Sequence, residues 1–262
     1  MWNETNGQRG ANEIGSLLFY YLRDCVPSSA VHHVVITSDS TVSQNRNRFV
    51  AGMMLVAVNC LPHISIIEQK FLEPGHTEME VDAMHAAIDF SKRNIKVFAP
   101  CEWPMLLQTA RRSKPYAVKE FDFSDFYDLH EFVNSLGTHD LKKRVHWMSV
   151  KCIRVKKGAC NEIEVKESYS DEYKRVTFCP TRGRNTRRHA EVQPSLTLTL
   201  LKPAYTHQLP VSQAKKMDLV KLCNSGLIPK QHHAFYRSLP TSDDLSDRLP
   251  EPDRTETDED AL

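Results

Sequence analysis

An α/β layered fold with a largely parallel sheet is predicted for the first part of this 262-residue chain, and three observations carry it. Short β-branched apolar runs alternate with segments of helical periodicity up to about residue 143. One such segment, "RFVAGMMLVAVNCL" (48–61), is apolar almost all round, as a helix buried between layers is. The run before it stops at an aspartate, Asp39, at the point where an open α/β sheet gathers functional groups.

Taken in order, "ANEIGSLLFYYLRD" (11–24) is predicted to be a helix because Ile14, Leu17, Leu18, Tyr21 and Leu22 fall at helical spacing. "HHVVITSD" (32–39) is a strand, 48–61 the buried helix, and "ISIIEQKFL" (64–72) the next strand. After Pro74-Gly75, "TEMEVDAMHAAIDFSKRN" (77–94) carries helix formers, a threonine at the cap position and glutamates in its first turn. A strand at 95–100, a helix at 103–113, a strand at 116–121 and a helix at 124–136 complete the alternation.

From residue 144 the texture changes. "VHWMSVKCIRVKK", "NEIEVKES" and "YKRVTFC" read as short antiparallel strands, with a turn at Lys157-Gly158, forming an annex or a continuation at the sheet edge. "SLTLTLLKP" alternates apolar and polar residues and is read as a further strand. Residues 210–240 read as two short helices, capped by Ser212 and stopped at Gly226. The expected domains are therefore an α/β core over 1–143, a mostly β annex over 144–240, and a disordered tail over 241–262, where nine acids face two arginines.

Composition limits the function classes. With 40% apolar residues the chain can bury the core of one domain and a smaller annex. Its 34 basic and 33 acidic residues nearly cancel, so local patches decide whether nucleic acid is a partner. Seven cysteines with no CxxC pair, and no signal peptide at the start, point to a reduced intracellular protein, the nucleus included. No apolar run approaches the roughly 20 residues that cross a bilayer, so no membrane partner is expected. There is no glycine-rich phosphate loop and no GxSxG elbow. The spacing of Cys160, Cys179 and His189 is unlike the common zinc modules. The adjacent pairs His32-His33 and His232-His233 project in different directions and read as packing or surface residues.

Two sets of residues stand out against this background. Asp39 is either a turn former after a strand or a ligand at the carboxyl end of a sheet. In the helix after Gly75, Glu78, Asp82 and His85 fall on one face, with His76 just before it, while Met79, Ala83, Ala86 and Phe90 take the other side. Carboxylates with histidine suit a divalent cation, Mg²⁺ or Mn²⁺; the plain alternative is the solvated face of an amphipathic helix. Separately, Arg46 and Arg48 before the buried helix, and Arg182, Arg184, Arg187 and Arg188 in a polar loop, are the cations that could contact DNA phosphates.

The order of elements, a strand ending in aspartate, a buried helix, a strand and an acid-bearing helix, is similar to the second half of a ribonuclease H-like fold. The fold expectation is thus a partial ribonuclease H-like layered sheet with flanking helices, plus the β annex and tail. "WNETNGQRGANEIGSLLFYYL", "SDSTVSQNRN", "IEQKFLEPGHTEMEVDAMHAAI" and "MDLVKLCNSGLIPKQHHAFYRSLP" together resemble an uncharacterised domain family, abundant in animal genomes and associated with transposable elements. The resemblance covers most of residues 1–240 and implies a transposon-derived protein with a DDE-transposase-like core. It carries over Asp39, His76, Glu78, Asp82 and His85 as the metal set; a nuclease or transposase would need Asp39 and Asp82 to converge as its catalytic pair. The chain departs from the family pattern at Val42-Ser43, where a glycine pair is usual, and at Asn3, where an aspartate is usual. The three-strand meander that opens a ribonuclease H-like sheet has no counterpart ahead of the first helix.

Three expectations follow for function. The first is a degenerate, catalytically incomplete metal-dependent nuclease or transposase-like core, in which Asp39→Asn leaves metal-free stability unchanged or slightly raised because close like charges repel. The second is a non-catalytic nucleic-acid-binding remnant. The third is a decayed protein without a biochemical role. A strand edge left open by the missing meander is expected to lead to self-association or to be covered by a partner.

Overall fold

The computed structural model describes residues 1–73, 79–137, 145–178 and 196–245. Among the described residues are seven α-helices, a five-stranded mixed sheet and a two-stranded parallel sheet, so the chain is mixed α/β. None of these helices is long and apolar enough to cross a membrane.

The chain divides into two compact units, the larger made of Arg9–Thr77, Phe126–Ala204 and Asp253–Leu262, the smaller of Met1–Gln8, Glu78–Asp125 and Tyr205–Pro252. This division cuts across the boundary expected at 143/144. The strands after residue 144 belong to the same sheet as the first two, so they are the continuation at the sheet edge rather than a separate annex.

In the larger unit, helix α1 (Ala11–Asp24) opens where the Glu13 carboxylate accepts the Gly10 N–H at 3.0 Å, satisfying one of the free donors of the first turn. Strand β1 (His32–Ser38) follows, then helix α2 (Arg48–Cys60) and strand β2 (Ile64–Phe71). β1 and β2 run parallel, joined by α2 as the crossover, which such a pair requires. β2 then pairs antiparallel with β3 (Cys152–Lys156), β3 with β4 (Glu162–Lys166), and β4 with β5 (Lys174–Thr177), giving the order β1-β2-β3-β4-β5. The tight β3–β4 turn is made at Gly158, whose φ of +87° is open to glycine at little cost. The Asn59 side chain at the end of α2 holds that turn, accepting the Gly158 N–H at 2.9 Å.

The largely parallel sheet is therefore corrected to a mixed one with a single parallel pair. Residues 95–100 and 116–121, expected to supply further strands, form none. "SLTLTLLKP" holds a 3-10 turn at Leu198–Leu200 instead of a strand, with Leu196 and Leu201 buried and Leu198 and Leu200 exposed.

The connected apolar core lies in this larger unit. All of α2 from Arg48 to Val58 is buried, and it packs against β2, β3 and β4 on one side and α1 and α5 (Leu129–Leu136) on another. Helix approach is close because Gly15 and Gly52 present no side chain to Leu129 and Val133 of α5.

In the smaller unit, helix α3 (Glu80–Lys92) buries none of its side chains, and Phe90 is 70% exposed beneath the Arg93 guanidinium. The helices α4 (Trp103–Thr109), α6 (Gln213–Asn224) and α7 (His233–Ser238) and the short strands β6 (Val211–Ser212) and β7 (Thr241–Ser242) complete it. Ser212 caps α6 by accepting the Lys215 N–H at 3.1 Å, and Gly226 follows the helix with a φ of +80°, both as read from the sequence.

Candidate functional site

The parallel pair β1–β2 brings its two carboxyl ends side by side, with Asp39 leaving β1 and Glu73 just beyond β2. The loop 39–47 between β1 and α2 is closed by hydrogen bonds of its own. The Thr41 carbonyl accepts the Asn45 and Arg46 N–H groups at 2.8 and 3.1 Å. The Asp39 carboxylate accepts the Thr41 hydroxyl at 2.9 Å and the Asn45 amide at 2.5 Å, one on each oxygen. Asn47 then caps α2: its side-chain oxygen accepts the Phe49 and Val50 N–H groups at 3.0 and 2.9 Å, and its amide reaches back to the Val42 carbonyl at 2.8 Å. Asp39 thus has the turn-forming role, and its remaining lone pairs are what it can offer a ligand.

Arg46 and Arg48, expected on a DNA-facing surface, are each only 6% exposed. The Arg46 guanidinium lies 5.9 Å from the centre of the Phe71 ring, and its buried Nε has no hydrogen-bond partner among the described residues. Burial pushes this guanidinium below its usual range, while the carboxylates of Glu73 and Asp39 act in the opposite direction. Glu73 is itself paired with Lys151 at 2.7 Å. The Arg48 guanidinium lies 4.5 Å from the centre of the Phe49 ring, and the His130 ring of α5 stacks on Phe49 with centroids 3.7 Å apart. Burial lowers the affinity of His130 for a proton, with Arg48 adding to the effect and Asp128 opposing it. Neither arginine is placed as an open phosphate contact. They are buried cations that rest on aromatic rings, a role that the polar sequence "SQNRNR" conceals.

Asp82 and His85 lie on α3, in the smaller unit, whereas Asp39 lies in the larger one. Both side chains of α3 are exposed. The Asp82 carboxylate accepts the Met79 N–H at 2.8 Å, so it caps its own helix, and the cap falls at Met79 where the sequence suggested Thr77. His76, Glu78, Arg182, Arg184, Arg187 and Arg188 lie outside the described residues. Among the described residues no three His, Cys, Asp or Glu side chains are grouped so as to hold a metal ion. The donor set around Asp39 does not suit a two-metal centre: its carboxylate is bonded at both oxygens, Glu73 is paired with Lys151, and Arg46 would repel a second positive charge.

Sequence reasoning passed over Gln69, Glu73 and His130, which share this end of the sheet. Gln69 is 2% exposed, and its amide donates to the Ser38 hydroxyl at 3.1 Å, tying the last residue of β1 to β2. Its place in an alternating strand gave the only signal, a polar residue at a buried-face position. Comparisons with protein-family models, with curated proteins and with solved structures gave no match.

Proposed function

We propose that the chain is a transposon-derived protein whose larger unit is a degenerate ribonuclease H-like core, related to metal-dependent nucleases and transposases and catalytically incomplete as it stands. The observation that carries this reading is the position of Asp39 at the carboxyl end of β1, within a parallel β1–α2–β2 unit. Two-metal phosphoryl transfer uses a carboxylate at such a place to hold ions against the reacting phosphate. Incompleteness follows from the surroundings. The carboxylate is engaged by Thr41 and Asn45, and the charge of buried Arg46, which Asp39 and Glu73 favour, opposes the binding of Mg²⁺ or Mn²⁺ nearby.

DNA is the partner this reading implies, either cut or merely bound, and Arg182, Arg184, Arg187 and Arg188 are the proposed phosphate contacts. A plasmid-nicking assay in Mg²⁺ and in Mn²⁺, run beside a gel-shift on the same duplex, tests it. The expected result is a salt-sensitive shift without nicking above an Asp39→Asn control. Robust nicking that Asp39→Asn removes would show that the site is complete. Neither nicking nor a shift would remove the nuclease-like reading.

A further inference from the structure

A different chemistry appears in the smaller unit, around the histidine pair that the sequence left as packing or surface residues. His232 ends a 3-10 turn, Lys230–His232, that runs into α7, and it is only 7% exposed. Its Nδ1 lies 4.0 Å from the sulfur of Cys101, a residue exposed to solvent in the turn Pro100–Glu102 before α4. Its other nitrogen, Nε2, lies 3.1 Å from the Glu102 carboxylate.

We assign the tautomer of His232 from its acceptor-only neighbour, Glu102. The second oxygen of Glu102 accepts the backbone N–H groups of Phe98 and Ala99 at 2.5 and 3.2 Å. The bond from Phe98, more than the neighbouring imidazole, holds this carboxyl below the usual carboxylate range. An ionised Glu102 can only accept, so the proton on the imidazole belongs on Nε2. The Gln231 amide, 3.1 Å from the same nitrogen, must then present its oxygen to it, which is the usual ambiguity of an amide orientation. With Nε2 protonated, Nδ1 keeps its lone pair, and that lone pair faces the Cys101 thiol. The Tyr236 hydroxyl of α7 donates to the Phe98 carbonyl, which ties α7 to the segment that bears Cys101. The ionisable groups gathered here are Cys101, Glu102, His232 and Tyr236, with the buried Cys223 acting on Tyr236.

We propose that Cys101 is a nucleophilic thiol for small-molecule disulfides, with His232 as its base and Glu102 as the positioning residue. Nucleophile, base and a third group that orients the base form the arrangement by which a thiol is activated, and contacts between the first two are commonly loose before a substrate arrives. In the reaction the Cys101 proton passes to Nδ1 and the thiolate attacks one sulfur of the disulfide R–S–S–R. A new S–S bond forms to Cys101 as the old one breaks, and the departing thiolate RS⁻ takes the proton from the imidazolium. The products are the mixed disulfide on Cys101 and one RSH, so the disulfide is the only oxidant. Disulfide exchange fits better than acyl transfer, because it needs no oxyanion-stabilising donors and only an exposed sulfur. This site is independent of Asp39 and of the nuclease-like reading.

Cys25 provides an internal control, since it is also exposed and unpaired. The folded chain is treated with iodoacetamide, and separately with glutathione disulfide, and modification of the Cys101 and Cys25 peptides is followed by mass spectrometry from pH 6 to 9. Cys101 is expected to react about tenfold faster than Cys25 at neutral pH, because the imidazole beside it takes the proton as the sulfur attacks. His232→Gln should bring the ratio close to one at every pH. Should that variant fail to fold, Glu102→Gln, which keeps a hydrogen-bond acceptor at a surface position, should lower the neutral-pH ratio several-fold with an unchanged circular dichroism spectrum. A ratio near one in the unaltered protein, or a ratio that both variants leave in place, overturns the proposal.

Discussion

Asp39 illustrates how a single side chain is read differently with and without its neighbours. Charge alone predicted that Asp39→Asn would leave metal-free stability unchanged or slightly raised. The bonds from Thr41 and Asn45 reverse that expectation, because an asparagine would turn an NH₂ group toward one of these donors and remove the anion beside Arg46. The substitution should cost about 1–2 kcal/mol in urea denaturation, the range of a charge-assisted hydrogen bond lost at a partly buried site. Equal or greater stability would mean that repulsion, not the turn, governs this residue. Glu164 gives a second test at this scale. Its side chain is only 8% exposed and is bonded by Arg154 at 2.6 Å and Lys156 at 2.9 Å. Burial raises its pKa, but the bonds from Lys156 and Arg154 outweigh burial, and the net shift is downward. A carboxyl with a lowered folded value contributes stability above its unfolded value of about 4.3 and loses it as the pH falls through the folded one. Acid melts should therefore show a loss of stability below about pH 5 that is smaller in Glu164→Gln, a variant already weaker at neutral pH. Parallel pH curves for the two proteins would exclude this contribution.

The helices of the larger unit were largely legible from periodicity, since α1 and α2 bury one face or all faces and their apolar residues mark it. Strands were legible only where a partner exists. "IKVFAP" has the β-branched and aromatic content of a strand, but a strand is made by hydrogen bonds to a neighbour, and sequence composition carries no record of which neighbour is present. The joining of β2 to β3 decides between the two readings of residues 144 onward, an annex or a continuation at the sheet edge, in favour of the second. Buried arginines at 46 and 48 were illegible for a related reason: nothing local distinguishes a cation packed over an aromatic ring from one on the surface. Glycines in α1 and α2 give a test of helix packing. A Cβ built on Gly52 would lie 2.4 Å from Cγ2 of Val133, and one on Gly15 would lie 2.3 Å from Cδ1 of Leu129. Alanine gains about 1 kcal/mol of helix propensity at either position. Val133 is fully buried and β-branched, so it cannot swing away, whereas Leu129 meets the added methyl with the far end of a flexible side chain. Gly52→Ala should therefore be net destabilising, by about 1–3 kcal/mol of overpacking less the propensity gain, and more so than Gly15→Ala. The opposite ranking in thermal melts would show that α5 yields as a whole.

At the scale of the molecule the apolar core is unevenly distributed. Its connected cluster of buried residues, from Ala11 to Leu201, falls within the segments of the larger unit. The smaller unit buries scattered residues such as Ala99, Leu106, Phe121 and Leu239, and leaves Val81, Phe90, Ile95 and Met105 exposed. Burial of apolar area stabilises by roughly 25 cal/mol per Å², so elements that bury little should open at lower free energy than those that bury much. α2 and α3 make the sharpest comparison, because each has 13 residues, yet eleven are buried in α2 and none in α3. Their intrinsic propensities do not compensate, since a helix of this length is marginal in water without tertiary packing. Native-state hydrogen exchange should show the amides of α3 exchanging through local opening and those of α2 only through global unfolding. Limited proteolysis should cut within α3 before it cuts within α2. If the amides of α3 instead prove as protected as those of α2 in the isolated chain, its stability does not come from buried side chains, and the view of α3 as an independently labile element fails.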